Sequence, residues 1–135
     1  CRPNRLCDRT FMWFEELPQN CPPKDAERPD GETFYRFCSK ETVQESDFHS
    51  HRMKWPDKVF ETDECIVRAL SVYKSLDHCL NLKKTPTFKK KHIGLFSLQA
   101  QDGLVKQTGS NNEHFSWWRN QFFEINRVKI IFNAD

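Results

Sequence analysis

The longest helical period in the chain lies in Thr62–Lys84, where Cys65, Ala69, Val72, Leu76 and Cys79 recur at steps of four and three and Ile66, Leu70, Tyr73 and Leu80 widen the stripe. The spacing predicts one long helix with a buried face. Thr62 suits the N-cap, Asp63 and Glu64 bring negative charge to the first turn, Lys83 and Lys84 bring positive charge to the last, and Thr85-Pro86 ends the run. On a continuous helix Cys65 and Cys79 stand roughly 21 Å apart at about 1.5 Å per residue. A disulfide needs Cα atoms within about 7 Å. Each is therefore expected to bond elsewhere, with partners among Cys1, Cys7, Cys21 and Cys38.

The remaining pattern extends the helical reading. In residues 32–47, Phe34, Phe37 and Cys38 have helical spacing after an Asp30-Gly31 turn signal. Phe48–Glu61 reads as a connecting loop broken at Trp55-Pro56. Ile93, Leu95, Phe96 and Leu98 form an apolar segment read as a helix, which Gly94 weakens. Gln107–Glu113 is the clearest linker. Beyond it the pattern favours a helix through Ile125 and allows a strand at Arg127–Phe132, where Val128, Ile130 and Phe132 alternate. The proline-rich residues 1–33 leave room for one short element, Asp8–Leu17. The expected fold class is mainly α: a single disulfide-braced domain over residues 1–135, with a cysteine- and proline-rich cap (1–33), a helical core (34–135) and room for a short C-terminal strand. An α+β fold is the alternative.

Composition narrows the compartment. Twelve Phe and four Trp in 135 residues supply one core. With 30% of residues charged and no apolar run near the roughly 18 residues that cross a bilayer, no membrane span is expected. Six cysteines, at positions 1, 7, 21, 38, 65 and 79, read as three disulfides in an oxidising, extracellular setting. A chain starting at Cys1 reads as a secreted product whose signal peptide has been removed.

Candidate chemistry is sparse. His49-Ser50-His51 places two imidazoles at strand spacing, with Asp47 or Asp57 as a third metal ligand, but no metal motif completes them and no C-x2-C pair exists. There is no Gly-x-Ser-x-Gly elbow and no glycine-rich phosphate loop, and all six cysteines can pair. Neither an enzyme nor a metal or cofactor site is expected. Lys83, Lys84, Lys89, Lys90, Lys91 and His92 concentrate positive charge in a chain of net charge +2, suited to a phosphate, a sulfated glycan or a lipid carboxylate, or else to a solvated helix end. Nucleic acid is a poor partner for a secreted protein. The many aromatic rings build a core or line a ligand cavity.

FYRFC at 34–38, Trp55, and TDECIVRALSVY at 62–73, with 26 residues between Cys38 and Cys65, resemble the amino-terminal domain of the D7 salivary proteins of blood-feeding flies, relatives of the insect odorant-binding proteins. The family's Cys-x3-Cys pair would need a cysteine where Ala69 stands, and Cys1, Cys7 and Cys21 are additional. Asp102-Gly103, Trp117-Trp118-Arg119 and residues 128–135 are similar to discoidin-like and F-type lectin sandwiches, with Asn133 where the lectin sugar motif has arginine. The first resemblance implies a helical protein that sequesters a small apolar or amphipathic ligand, with Tyr35, Phe37, Trp55 and Tyr73 lining the pocket and Lys89, Lys90 and Lys91 holding an anionic head group. An extracellular protein–protein module, such as a host-factor inhibitor or a cytokine-like signal, is the competing expectation.

Overall fold

The computed structural model describes residues 12–132. Its frame is one six-stranded antiparallel sheet built from β1 (Glu32–Cys38), β2 (Leu70–Tyr73), β3 (His92–Leu98), β4 (Gly103–Gln107), β5 (His114–Arg119) and β6 (Lys129–Phe132), in the order β4-β5-β2-β1-β3-β6. The α-helices are short: α1 (His51–Lys54), α2 (Glu64–Val67) and α3 (Leu76–Leu82). Strand and bridge positions hold 30% of the described residues against 21% in α- and 3-10 helices, so the mainly helical fold expected from the periodicity, and from the D7 resemblance, is not the one formed.

The Thr62–Lys84 helix is replaced by α2, β2 and α3. Leu70-Ser-Val-Tyr fits a strand period as well as a helical one, and pairing with β5 decides between them: Leu70 faces Trp117 and Val72 faces Phe115. Ser75 then starts a fresh helix, its hydroxyl accepting the His78 N–H at 3.1 Å. The expected helix within 32–47 is β1, whose Phe34 and Cys38 face one side while Tyr35 and Phe37 face the other. The apolar segment after the lysines is β3, and Gly94 sits in it because a Cβ there would lie 2.8 Å from the Val128 side chain. Phe115–Ile125 begins as β5 rather than a helix. The linker at Gln107–Glu113 is the β4–β5 connection, and the strand allowed at Arg127–Phe132 is β6.

One face of the sheet is sealed. Phe34, Phe96, Leu98 and Trp117 lie under Phe48 and Phe123, which stand 5.8 Å apart centre to centre. The Trp117 indole donates to the Asp102 carbonyl at 3.0 Å, so its burial leaves no polar atom unpaired. Asp102, fully buried, holds Arg127 through both carboxylate oxygens at 2.9 and 2.8 Å. Gly103 has φ +130°, and a Cβ there would meet the Trp118 carbonyl at 2.0 Å; only glycine lets β4 start against β5.

The opposite face is covered in part by α3 and the loop after it, over Tyr73, Cys79 and Ile93. Leu76, expected at the centre of a buried stripe, is only partly buried here. Cys21 bonds Cys65 with Cα atoms 5.6 Å apart, tying the amino-terminal segment to α2. Of the expectation that Cys65 and Cys79 bond two different partners, the Cys65 half holds and the Cys79 half does not, and the continuous helix that it presumes is absent. Three disulfides were expected; among the described residues there is this one, and Cys38 and Cys79 are buried free thiols. They belong to clusters on opposite faces, so the sheet separates them. Burial pushes their pKa values up to about 11 and about 12, which keeps them protonated and unreactive at neutral pH. Cys1, Cys7 and the first part of the Asp8–Leu17 element lie outside the described residues.

Candidate functional site: a cationic groove along β2

The sheet has a gap near its middle. β1 pairs with β3 along its whole length but meets β2 only at Tyr35↔Tyr73. Arg36 bridges the strands where the ladder ends: Nη1 donates to the Ser71 carbonyl at 2.7 Å and Nε to the Asp47 carbonyl at 2.8 Å. Desolvation pushes the Arg36 pKa down, with Asp47 partly offsetting it.

Two cavities of about 200 and 190 Å³ open on either side of this guanidinium, with Arg36, His51 and Ser71 as a common wall. The rest of the first is lined by Phe60, Ile66, Val67 and Ala69 together with His49, Ser50 and Thr62. The second is half aromatic and half cationic: Phe37, Tyr73 and Phe88 face Lys54 and Lys91. Phe88 stacks on Phe37 with centroids 4.3 Å apart, and Tyr73 meets Phe37 edge-on at 5.8 Å. A third cavity, about 280 Å³, lies beyond Tyr73 and Phe88, with His78, Leu82 and His114 in its wall.

The electrostatics are one-sided. Lys54 is pushed below its ordinary pKa first by burial and then by Arg36 and Lys91, and His51 likewise by burial and by Lys54 and Arg36, which leaves the imidazole neutral at physiological pH. Among the described residues none of Arg36, Lys54 and Lys91 forms an ion pair. The Asp47 carboxylate, which opposes their charge, is engaged by the Ser39 N–H and hydroxyl and by the Gln44 N–H. Three cations therefore converge on one small cavity whose lining holds no Asp or Glu, with Asp47 only partly offsetting their charge.

Of the residues expected to bind a ligand, Phe37, Tyr73 and Lys91 line the groove together. Tyr35 packs with the second cluster and lines none of the three cavities. Trp55 caps α1, half exposed, with the Lys58 ammonium 5.4 Å from its ring. Lys89 and Lys90 are exposed outside the groove. Lys83 is spent on structure, its ammonium donating to the carbonyls of Lys89, at 3.3 Å, and Lys91. His49 and His51 do not form a metal centre: His49 packs on Phe14, His51 on Phe60, and no group of three or more metal-ligating side chains occurs among the described residues.

Arg36, Lys54 and Phe88 are groove residues that the sequence reading missed. The available signal was Arg36 itself, a charge between the inward-facing Phe34 and Cys38 that becomes anomalous once the segment is read as a strand. No helix among the described residues is long and apolar enough to cross a membrane. No protein-family model matches this chain, and neither does any curated protein or any solved structure.

Proposed function

We propose that the protein is a secreted, non-enzymatic binding protein whose β2 groove takes an anionic amphipathic ligand. The observation that carries this reading is the convergence of Arg36, Lys54 and Lys91, none of them ion-paired among the described residues, on a cavity walled by Phe37, Tyr73 and Phe88. An anion there balances the positive charge that Asp47 only partly offsets, and ring contact adds affinity at about 25 cal/mol per Å² of apolar surface removed from water. No bond is made or broken, and binding is expected to weaken as salt rises.

The cavities are open clefts of modest volume. An apolar cavity of roughly 150 Å³ accommodates benzene, so each of these takes a group of about that size rather than a folded lipid chain. Titration calorimetry with benzoate, phenyl phosphate and neutral benzyl alcohol tests the reading. The two anions are expected to bind and the alcohol not. Equal heats from all three, or none from the anions, would refute it.

Val59, 90% exposed, and the half-exposed Trp55 project from one loop beside α1, and they favour the alternative of a protein-contacting surface. Trp55→Ala separates the two, since it lies outside the groove and is expected to leave anion binding unchanged.

A further inference from the structure

The three cavities lie in a row, and the row follows one strand. Ala69 and Ser71 line the first, Ser71 and Tyr73 the second, and Tyr73 the third. These are alternate residues approaching and along β2, and alternate side chains point to one face. At about 3.3 Å per residue, these lining positions recur roughly every 6.6 Å along the strand. The side chains at alternate positions of any extended peptide repeat at the same interval.

The cavities differ in chemistry. The first is mixed, an apolar group of Phe60, Ile66 and Val67 sharing its wall with Arg36, His51 and Thr62. The middle one carries Arg36, Lys54 and Lys91. The third presents Tyr73, Phe88 and His114 and has no Lys, Arg, Asp or Glu in its lining. His114 is fixed in place, with Nδ1 3.0 Å from the Thr108 carbonyl and Nε2 3.0 Å from the Ser71 hydroxyl. Arg36, His51 and Ser71 separate the first cavity from the second, and Tyr73 and Phe88 separate the second from the third. A rigid polycyclic ligand or a lipid tail needs one continuous space. Separate pockets of side-chain size, each reached by the next alternate residue of one strand, suit a chain that presents one group to each.

We infer that the groove recognises an extended acidic peptide, with an aliphatic side chain, a carboxylate and an aromatic side chain at alternate positions. The inference rests on the anion-binding reading above and names its ligand class: the carboxylate sits among Arg36, Lys54 and Lys91, the aliphatic group beside Ile66, and the ring against Phe88 and Tyr73. Charge complementarity selects an acidic segment over a neutral one, and the alternating pockets fix its register.

The test is an immobilised array of blocked pentapeptides with glycine at positions two and four and every residue type at positions one, three and five, probed with the whole protein. The expected result is selection of Asp or Glu at position three, at least tenfold over Asn or Gln, with aliphatic residues at one end and aromatic residues at the other. Lys54→Ala/Lys91→Ala, with an unchanged circular dichroism spectrum as the check on folding, is expected to abolish the acidic preference, and Phe88→Ala the aromatic one. An array with no acidic preference at position three, or one indifferent to positions one and five, overturns the peptide inference. Benzoate and phenyl phosphate run alongside show which reading has failed: if they bind, the groove takes small anions only, and if they do not, the anion-binding reading falls as well.

Discussion

The two faces of the sheet use the same kind of residue in different ways. On the sealed face, Phe48, Phe96, Trp117 and Phe123 contact one another at centroid distances between 4.8 and 6.2 Å, and all are buried. On the open face Phe37 and Phe88 stack just as closely, yet both keep part of their surface in contact with solvent, beside cavities and charged side chains. Mutual packing satisfies the first set and contributes stability. The second set is left with unfilled contact surface, the condition for holding something else. Aromatic content alone therefore does not locate a binding site; the combination of partial burial, adjacent space and unpaired charge does.

That contrast can be broken at its strongest point. Gly103→Ala places a Cβ against the Trp118 carbonyl in a backbone conformation that alanine resists. The expected loss is about 4 kcal/mol or more, seen in urea titration as a protein that barely folds. A stable alanine variant would mean that the β4–β5 junction shifts freely.

Next in size, Trp117→Ala on the sealed face is expected to cost about 3–5 kcal/mol, whereas Phe88→Ala on the open face is expected to cost about 1 kcal/mol, because a partly exposed ring leaves a smaller cavity. Equal losses by chemical denaturation would erase the distinction between the faces.

Charge on the open face sharpens the comparison through pH. The Lys54 pKa in the fold lies below its ordinary 10.5, so the native state disfavours the ammonium. Below the depressed pKa the fold carries this penalty, and the penalty is relieved as pH rises through that value toward 10.5. Sulfate is therefore expected to raise the Tm of the protein at pH 7 by a few degrees, to raise it less near pH 10, and to have little effect on Lys54→Ala/Lys91→Ala. Thermal scans in sulfate and chloride at matched ionic strength check this, and an identical sulfate effect at both pH values would contradict it.

The smallest effect concerns the wall of the groove. Glu64 receives Arg52 and Arg68 at 2.8 Å, and these hydrogen bonds hold its carboxyl pKa down to about 2. A depressed carboxylate stabilises the fold above its unfolded pKa of about 4.5 and loses that contribution as pH falls toward 2. Because the carboxylate is 39% exposed, solvent screening limits the contribution to about 1 kcal/mol or less. Glu64→Gln is expected to lower stability at neutral pH by up to about 1 kcal/mol and so to flatten acid unfolding between pH 4.5 and 2, as read by circular dichroism. A large loss at pH 7 would show that the pair does more than hold α1 against α2.

What the sequence by itself determined were features that do not depend on a distant partner. The polar Gln107–Glu113 stretch holds the β4–β5 loop, Arg127–Phe132 carries a strand, and no helix among the described residues is long and apolar enough to cross a membrane, whereas the choice of Cys21 for Cys65, and the free thiol of Cys79 that was expected to pair, were not in the pattern. The groove was legible only in part: Phe37, Tyr73 and Lys91 were among the expected residues, whereas Arg36 and Lys54 were not. The tertiary structure alone decided helix against strand at residues 34–38, 70–73, 93–98 and 115–119. Each of these segments is too short for a period of 3.6 to be told from a period of 2, and each becomes a strand because a neighbour far along the chain supplies its hydrogen bonds and covers its apolar side: Phe34 opposite Phe96, Leu70 opposite Trp117. The gap between β1 and β2, and with it the convergence of Arg36, Lys54 and Lys91 from three separate segments, follows from that pairing and has no counterpart in the local pattern.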